Sequence, residues 1–252
     1  MRKHSILAVA VVCAFLFSQR AAAQTGEVHV LASNGIKAVM EDLLSQSEHA
    51  IGATIAVQYM PTANVMQKIA AGEPFDVTII TPEATAELAK QGKTVDAGTP
   101  ISRAGIGIGI RRGAPRPDIT TPEALKTALL GTKAIVYAPR GASTPAITHM
   151  LEALGIAEAM KAKTILLQGS DLTIAAVLDG RADFVMTLVS EMLPVNGLEV
   201  LGPLPDEFQH YISFSAAVSA NSKNTEAANA LIKFLAGPSA VPVIKARGME
   251  PD

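Results

Sequence analysis

Polar residues that could hold an anion cluster at two turns where a short apolar run gives way to a helical pattern. The first turn contains Ser33, Asn34 and Gly35, and the second contains Thr62 and Asn64. The start of a helix attracts anions because its first N–H groups are free and its dipole is positive there. The two turns therefore predict one wall of an anion site.

A third turn contains a residue that could grip a carboxylate. Arg140 lies between an apolar run and a helical pattern, and Ser143 and Thr144 follow it at the start of that helix. A guanidinium binds a carboxylate through two parallel hydrogen bonds. We expect these three residues to form the opposite wall, the alternative being that Arg140 is a solvated loop charge.

Two residues could carry a proton if the protein is an enzyme. Glu191 follows a late apolar run, and His149 lies one turn into the helix after Thr144. A surface glutamate and a packed or exposed histidine are the ordinary interpretations of such residues. The histidines have no metal-ligand spacing, and no nucleophile elbow, zinc-protease motif or P-loop occurs. The sequence therefore predicts neither a metal site nor a cofactor.

The composition excludes several classes of ligand. The 252 residues are 49% hydrophobic and 4% aromatic, with no Trp and a formal charge of −2. A slightly acidic chain without a basic stripe argues against nucleic acid as a partner. Few aromatic rings argue against stacking on sugars or nucleobases. The ligand class that fits is a small anion held by N–H groups, hydroxyls and Arg.

Residues 1–23 have the pattern of a secretory signal peptide cleaved after Ala23. Arg2 and Lys3 precede an apolar run of 12 residues, 6–17, and three alanines end the segment. The rest has 18 basic and 23 acidic residues, a formal charge of −5, and no Cys. No later apolar run reaches 18 residues, so we expect no membrane insertion after cleavage. These features predict a periplasmic protein, which we expect to be a monomer.

Apolar runs and amphipathic patterns alternate along the remaining chain. We predict strands at 28–31, 54–59, 76–80, 106–110, 134–137, 164–167, 183–186, 198–201 and 211–218. Predicted helices lie between them, and two close the chain at 224–235 and 238–246. Thr81, Thr121 and Thr144 each precede a Pro and are predicted N-caps, as is Ser170 or Asp171. The pattern predicts an α/β protein with a mostly parallel sheet, arranged as two doubly wound lobes.

Four segments resemble the periplasmic solute-binding proteins of the molybdate-binding type. They are residues 31–35, the sequence IAAGEPFDV at 69–77, the strand GIGIGI at 105–110, and the closing segments 227–235 and 238–248. The resemblance covers essentially all of the chain after residue 23. It implies the two-lobed type 2 periplasmic binding fold, with a hinge and an interlobe cleft. One lobe would comprise 24–103 plus 209–252 and the other 104–208, and an ABC transporter permease would be a partner.

The chain departs from that family where the family has small hydroxyl-bearing turns. Asn34 and Gly35 follow Ser33, and Pro61 to Asn64 replace a Gly/Ser-rich turn. A tyrosine that contacts the family's ligand is replaced by Met186 and Thr187, so that contact is not transferred. These departures favour an organic di- or tricarboxylate over molybdate.

A second resemblance indicates that the protein could be an enzyme. Residues 190–195 and 202–205 are similar to segments of the periplasmic aconitate isomerases, which share the fold. This resemblance implies cofactor-free interconversion of cis- and trans-aconitate by allylic proton transfer. Glu191 or His149 would be the base, and Arg140 with the helix N-termini would stabilise the developing negative charge. Binding protein and isomerase both remain open from the sequence, with the binding role placed first.

Overall fold

The computed structural model describes residues 26–252, in which strands and helices alternate. The predicted signal peptide, 1–23, lies outside the described residues. The strands are β1 (Val28–Ser33), β2 (Ile55–Met60), β3 (Val77–Ile80), β4 (Thr99–Arg111), β5 (Ile135–Tyr137), β6 (Thr164–Leu166), β7 (Phe184–Leu188), β8 (Leu198–Pro203), β9 (Tyr211–Val218) and β10 (Met249–Pro251). The helices are α1 (Lys37–Ile51), α2 (Thr62–Ala70), α3 (Pro82–Lys90), α4 (Pro122–Gly131), α5 (Thr144–Ala153), α6 (Ala157–Lys161), α7 (Ser170–Leu178), α8 (Val189–Met192), α9 (Thr225–Leu235) and α10 (Val241–Ala246). None of the helices in this part of the chain has the length and apolar character needed to cross a bilayer.

The strands form a mixed sheet in the order β2-β1-β3-β9-β4-β7-β5-β6, with β8 and β10 also paired to β4. β1 is parallel to β2 and β3, and β5 is parallel to β6 and β7. β4 and β9 run antiparallel to their neighbours. The prediction of a mostly parallel sheet is therefore wrong at the centre, because the chain crosses between the two halves there.

The sheet divides into two lobes along β4. Lobe 1 contains β1, β2, β3, β9 and β10, and lobe 2 contains β5, β6, β7 and β8. β4 pairs with β9 as far as Gly105, opposite Tyr211, and with β7 from Ile106, opposite Leu188. One strand thus belongs to both lobes, and the return crossing lies between β8 and β9. The lobe boundaries given above stay a prediction.

The alternation of Gly and Ile in β4 seats α8 directly on the sheet. Ile106, Ile108 and Ile110 are buried in the core. A Cβ on Gly107 would lie 3.0 Å from a methyl of Val189, and one on Gly109 would lie 2.6 Å from Sδ of Met192. Glycine at these two positions removes the side chains that would hold a helix away. The short helix that carries Glu191 can therefore lie flat against the strand shared by the lobes.

Helix starts agree with the sequence in some places and differ in others. Thr121 caps α4 as predicted, since its hydroxyl accepts from the N–H of Ala124 at 3.2 Å. Thr81 occupies the N-cap position of α3 without a side-chain bond. Thr144 is wrong as a cap, because Ser143 takes that position and the Thr144 hydroxyl donates to the Ala138 carbonyl at 2.6 Å.

The start of α7 also differs from the prediction. Its N-cap is Gly169, at φ = 87°, so neither Ser170 nor Asp171 takes that role. A left-handed residue at this point costs little for glycine, and the turn leaves Ser170 as the first helical residue. The sequence pattern did not anticipate two elements, α6 and β10.

Candidate functional site

A small inner cavity lies between the lobes. Its lining comes from the turns that follow β1, β2, β5, β6 and β7, which is where ligands bind in open α/β sheets. The lining residues are Ser33, Asn34, Pro61, Thr62, Ala138, Gly141, Ala142, Ser143, Gly169, Ser170, Thr187, Leu188 and Glu191. Most of the polar side chains among them are neutral, and Glu191 is the one that titrates.

The lobe 1 wall contains one hydroxyl with a partner and one without. Ser33 is buried, and its Oγ accepts from the N–H of Gly35 at 3.4 Å, which caps the 3₁₀ turn Asn34–Ile36. Thr62 is the first residue of α2, and its buried Oγ1 has no hydrogen-bond partner among the described residues. A buried hydroxyl without a partner is costly, so this atom is ready to bond to a ligand.

The lobe 2 wall brings two more helix starts to the cavity. Ser143 is buried at the N-cap of α5, and Ser170 is half-buried at the start of α7. Together with α2, these helices direct three N-termini at the cavity. Free N–H groups and positive dipole ends at these termini favour a negatively charged occupant.

Glu191 is an acid placed among these anion-attracting groups. Its carboxylate accepts a hydrogen bond from the hydroxyl of Thr187, and the hydroxyl of Ser170 and the N–H of Leu188 also act on it as donors that favour the charged form. Burial raises the pKa of Glu191, since the charged form loses water, and this outweighs the opposing effect of the three donors. The nearby charge of Asp171 adds to the increase in pKa. The cavity therefore holds a carboxyl group that takes up a proton more readily than an exposed glutamate.

A bond between the lobes fixes the position of Glu191. The hydroxyl of its neighbour Ser190 donates to the carbonyl of Gly35 at 2.8 Å, deep in the structure. A Cβ on Gly35 would lie 2.4 Å from Cζ of Phe214 and 2.7 Å from Cδ1 of Leu188. Glycine at position 35 thus allows the end of β7 and α8 to approach lobe 1 closely.

An outer groove of about 1140 Å³, open to solvent, continues from the inner cavity. The two spaces share Thr62, Gly141 and Ala142 in their linings. Among the described residues that line the groove, Arg140 is the only Arg or Lys, and it is exposed. His210 and Glu83 also line it. The inner part of the cleft is therefore narrow and lined by no Arg, Lys or His, whereas the outer part is wider and contains the guanidinium of Arg140.

The structure separates the residues that the sequence proposed for the site. Ser33, Asn34, Thr62, Ser143 and Glu191 line the inner cavity, and Arg140 lines the outer groove. The others lie elsewhere: Gly35 is buried behind the wall, Thr144 bonds to Ala138, Asn64 is exposed beside another depression, and His149 is exposed on α5. His149 lines neither the inner cavity nor the outer groove, so it is not placed to act as a base there.

Two residues that bond to Glu191 were missed as site residues. Ser170 was interpreted as a helix cap, and Thr187 was set aside because it replaces a tyrosine of the related family. Ser170 follows β6 and Thr187 lies at the carboxyl end of β7, and a position at or beyond the carboxyl end of a strand was the signal available in the sequence. Within residues 26–252, no cluster of three or more His, Cys, Asp or Glu could hold a metal ion.

A second large groove, of about 1050 Å³, lies at the opposite end of lobe 2. Pro115, Pro117 and Ala128 contribute to its mostly apolar lining, together with Asp183 and Phe184, where β7 begins. It therefore lies at the amino end of a parallel strand, opposite to where ligands bind in such sheets. The smaller polar cavity between the lobes is the better candidate.

The chain resembles known proteins over nearly all of the described residues. A family model described as bacterial extracellular solute-binding protein matches residues 28–250. The chain is 25% identical over 228 residues to aconitate isomerase from a Pseudomonas species, covering 88% of this chain and 87% of that relative. It is 30% identical over 236 residues to the molybdate-binding protein ModA of Azotobacter vinelandii, covering 90% and 91% respectively.

A solved structure gives the same result at the level of fold. The periplasmic molybdate-binding protein of Azotobacter vinelandii superimposes with a TM-score of 0.75 at 17% identity, covering 88% of this chain and 98% of that one. The predicted α/β fold of two lobes with an interlobe cleft is confirmed, as are both resemblances noted in the sequence. With a match over nearly all of the described residues, the chain belongs to the family of bacterial extracellular solute-binding proteins.

Proposed function

We propose that this protein binds a small organic di- or tricarboxylate in the cleft between its lobes. The continuity of the inner cavity with the outer groove, through Thr62, Gly141 and Ala142, is the observation that carries the proposal. The two spaces offer different donors to an anion. A ligand with carboxylates several bonds apart can reach both, whereas a tetrahedral oxyanion occupies one.

In the inner cavity, one carboxylate of the ligand would meet hydroxyls and helix N-termini. The unpartnered Oγ1 of Thr62 would donate from lobe 1, and Ser143 would donate from lobe 2. Hydrogen bonds to a charged group contribute about 1.5–3 kcal/mol each, more than bonds between neutral groups. Donors on both lobes favour the closed arrangement when the anion is present.

In the outer groove, Arg140 would bind a second carboxylate. Its guanidinium is exposed and takes part in no ion pair among the described residues. Arg103, by contrast, is paired with Glu250 and stacked at 4.8 Å on the ring of Tyr211. Among the described residues that line the cleft, Arg140 is therefore the guanidinium with capacity left for a ligand.

The relatives span both kinds of anion. One relative is named for aconitate, a tricarboxylate, and another for molybdate, a tetrahedral oxyanion. The carboxyl group of Glu191 in the inner cavity favours the first kind, because a carboxylate ligand can accommodate a neighbouring acid by sharing a proton with it.

A thermal-shift and calorimetric screen tests the proposal. The purified chain is mixed with cis-aconitate, trans-aconitate and saturated di- and tricarboxylates, and separately with molybdate, tungstate and sulfate. A ligand at 100 times its Kd stabilises the folded state by about 2.7 kcal/mol, a rise of several degrees in melting temperature. We expect that rise with a di- or tricarboxylate. Tight binding of molybdate together with no carboxylate binding would contradict the proposal.

A second candidate function is aconitate isomerase, which the position of Glu191 favours. As a carboxylate, Glu191 would remove a proton from the CH₂ carbon beside a ligand carboxylate while the double bond shifts. The same proton would return to the former alkene carbon, so the reaction needs no cofactor. A raised pKa suits this role, because a general base works best when its pKa lies near the operating pH.

An ultraviolet assay separates the two candidates. Catalysis predicts that the chain converts cis- to trans-aconitate, with a progressive absorbance change that Glu191→Gln abolishes. Glu152→Gln is the matched control, because Glu152 is an exposed glutamate on α5 outside the cleft linings. Binding of aconitate with no absorbance change would eliminate the isomerase and leave the binding role.

The place of action and the transport partner belong to the same proposal. We infer that the protein works in the periplasm after removal of residues 1–23, since its family is extracellular and those residues have the pattern of a signal peptide. An ABC transporter permease as the partner of the closed, ligand-bound form stays a prediction.

A further inference from the structure

We propose that the ligand binds together with one proton, which Glu191 and a ligand carboxylate share across the inner cavity. This inference rests on the proposed carboxylate-binding function, and it names the residue that distinguishes a carboxylate ligand from a tetrahedral oxyanion. Glu191 lines the cavity at the end where β7 passes into α8, and no Lys, Arg or His is among the lining residues. A ligand carboxylate entering this cavity therefore meets an acid with no lining cation to neutralise the pair.

Two ionised carboxylates in a confined, partly desolvated space repel each other strongly. Such pairs relieve the repulsion by holding one proton between them, so that the pair titrates as a unit. The donors from Thr187, Ser170 and Leu188 hold the Glu191 carboxylate in place on the protein side. A proton gained on ligand binding can then point into the cavity as a donor to the ligand.

Charged groups on the neighbouring elements do not remove this repulsion. Asp171 on α7 raises the pKa of Glu191 and so acts in the same direction as an anionic ligand. β7 has no charged residue. On the other elements packed against α8, several charges have partners of their own: Arg103 of β4 with Glu250, Glu199 of β8 with Arg116, Asp42 of α1 with Arg247, and Lys37 of α1 over the ring of Tyr59 at 5.9 Å. The remaining charged or titratable residues of these elements, Arg111, Glu41, Glu48 and His49, do not line the inner cavity. Arg140 lies in the outer groove, beyond this cavity.

The shared proton would make Glu191 a specificity-determining residue. A compact dianion such as molybdate or sulfate would bring two charges into the inner cavity beside Glu191, and one shared proton would not offset them. A polycarboxylate pairs one carboxylate with the proton and keeps others for Arg140. Replacing Glu191 by glutamine keeps a hydrogen-bond donor and removes the acid, so it should relax this discrimination.

Isothermal titration of the full chain with trans-aconitate at pH 7, in two buffers of different ionisation enthalpy, counts the protons taken up. We expect close to one proton for the native chain and for Glu152→Gln, and none for Glu191→Gln. The apparent Kd of the native chain should rise by up to about tenfold per pH unit between pH 6 and 8, because deprotonated Glu191 must regain a proton. The same plot should be flat for Glu191→Gln.

A second arm uses molybdate and does not depend on carboxylate binding. Glu191→Gln should bind molybdate at least tenfold more tightly than the native chain. Equal molybdate affinity in the two proteins would overturn the inference, as would trans-aconitate binding without proton uptake. In the latter case the carboxylate-binding function would still stand, whereas failure of every carboxylate to bind would count against the proposed function itself.

Proton uptake also separates the two candidate functions. A Glu191 that is protonated in the complex donates to the ligand and does not act as a base toward it. One proton per bound trans-aconitate therefore supports the binding protein, and a complex formed without uptake leaves Glu191 ionised as the isomerase requires.

Discussion

The two walls of the inner cavity differ in what they leave for a ligand to do. On the lobe 1 side, the Oγ1 of Thr62 is buried with no partner. On the lobe 2 side, the hydroxyls of Thr187 and Ser170 already donate to Glu191. Under the proposed function, the Thr62 hydroxyl on lobe 1 would gain its first hydrogen bond when an anion binds, whereas Glu191 on lobe 2 would set the charge that the anion meets. The proposal therefore predicts that Thr62 contributes mainly to affinity and Glu191 mainly to selectivity.

The same contrast extends to how the walls are held. The lobe 2 wall depends on α8, which lies on the glycines of β4 and bonds through Ser190 to the carbonyl of Gly35. The lobe 1 wall depends on the local start of α2. We call the contact of Gly35 with Leu188 and Ser190 the seam between the lobes. A change at this seam should affect both walls, whereas a change at a single turn should affect only the wall that contains the turn.

The largest expected effect comes from Gly35→Ala, which tests the seam. The added Cβ would lie 2.4 Å from Cζ of Phe214 and 2.7 Å from Cδ1 of Leu188, both in buried side chains. Overpacking of this kind costs about 3 kcal/mol at the upper end, or roughly 6–12 °C in melting temperature. Carboxylate binding should fall as well, since Leu188 would be displaced from the cavity wall.

Gly131→Ala is the matched control for that substitution. Gly131 ends α4, and a Cβ there would have no heavy atom within 4 Å. Its melting temperature should be unchanged or slightly higher, because alanine reduces the freedom of the unfolded chain. Equal melting temperatures for Gly35→Ala and Gly131→Ala would mean that the close packing at Gly35 does not stabilise the fold.

Thr62→Val tests the lobe 1 wall and should have the next largest effect. Valine keeps the shape of threonine and removes a hydroxyl that has no protein partner, so the unfolding free energy should not fall. Binding should lose a hydrogen bond to a charged group, about 2 kcal/mol or roughly thirtyfold in Kd by calorimetry. Thr62→Ser, which keeps the hydroxyl, should retain most of the affinity. Equal affinities for the valine and serine variants would assign no ligand contact to Thr62.

Arg140→Ala tests whether the ligand reaches from the inner cavity into the outer groove. We expect a Kd about tenfold higher for a tricarboxylate, or about 1.4 kcal/mol, since one exposed charge-assisted contact is lost. Arg181→Ala is the control, because Arg181 is exposed and pairs with Asp179 at the far end of α7. Any binding of molybdate should be insensitive to Arg140, and an unchanged tricarboxylate Kd would place Arg140 among the solvated loop charges.

The sequence predicted the location of the cavity better than its detail. The alternation of strands and helices, with the rule that ligands bind beyond the carboxyl ends of strands, brought Ser33, Thr62, Ser143 and Glu191 to the same region. That prediction requires only the order of the elements. The bonds of Thr187 and Ser170 to Glu191 could not be predicted, because they depend on β7 continuing to Leu188, two residues past the predicted end.

Helix phase explains the residues that the structure places elsewhere. α2 begins at Thr62, so Asn64 lies two residues into the helix, about 200° around from the first residue, and is exposed. In α5, Ile147, Met150 and Leu151 define the buried face, and His149 lies on the opposite one. A shift of one or two residues in a helix start decides whether a side chain enters the cleft. Element boundaries are the part of a sequence-based prediction that is least well determined.

The smallest expected effect concerns the charge on the lobe 2 wall in the absence of ligand. Because the folded chain raises the pKa of Glu191, the folded state binds more protons than the unfolded state between the two pKa values. The stability associated with this group is therefore complete below the unfolded pKa and is lost as the pH rises through the folded one. Glu191→Gln, which stays neutral and still accepts from Thr187, should raise the melting temperature relative to the native chain more at pH 8 than at pH 5.

Melting temperatures of the native chain, Glu191→Gln and Glu152→Gln at the two pH values measure that difference. Glu152→Gln reports what the loss of one exposed acidic charge does to the whole chain, so it is subtracted before the comparison. A corrected gain that is equal at both pH values, or larger at pH 5, would mean that burial does not disfavour the ionised form of Glu191. Glu191 would then ionise in the folded chain as readily as it does in water. The difference between the two walls would be limited to the unpartnered hydroxyl of Thr62.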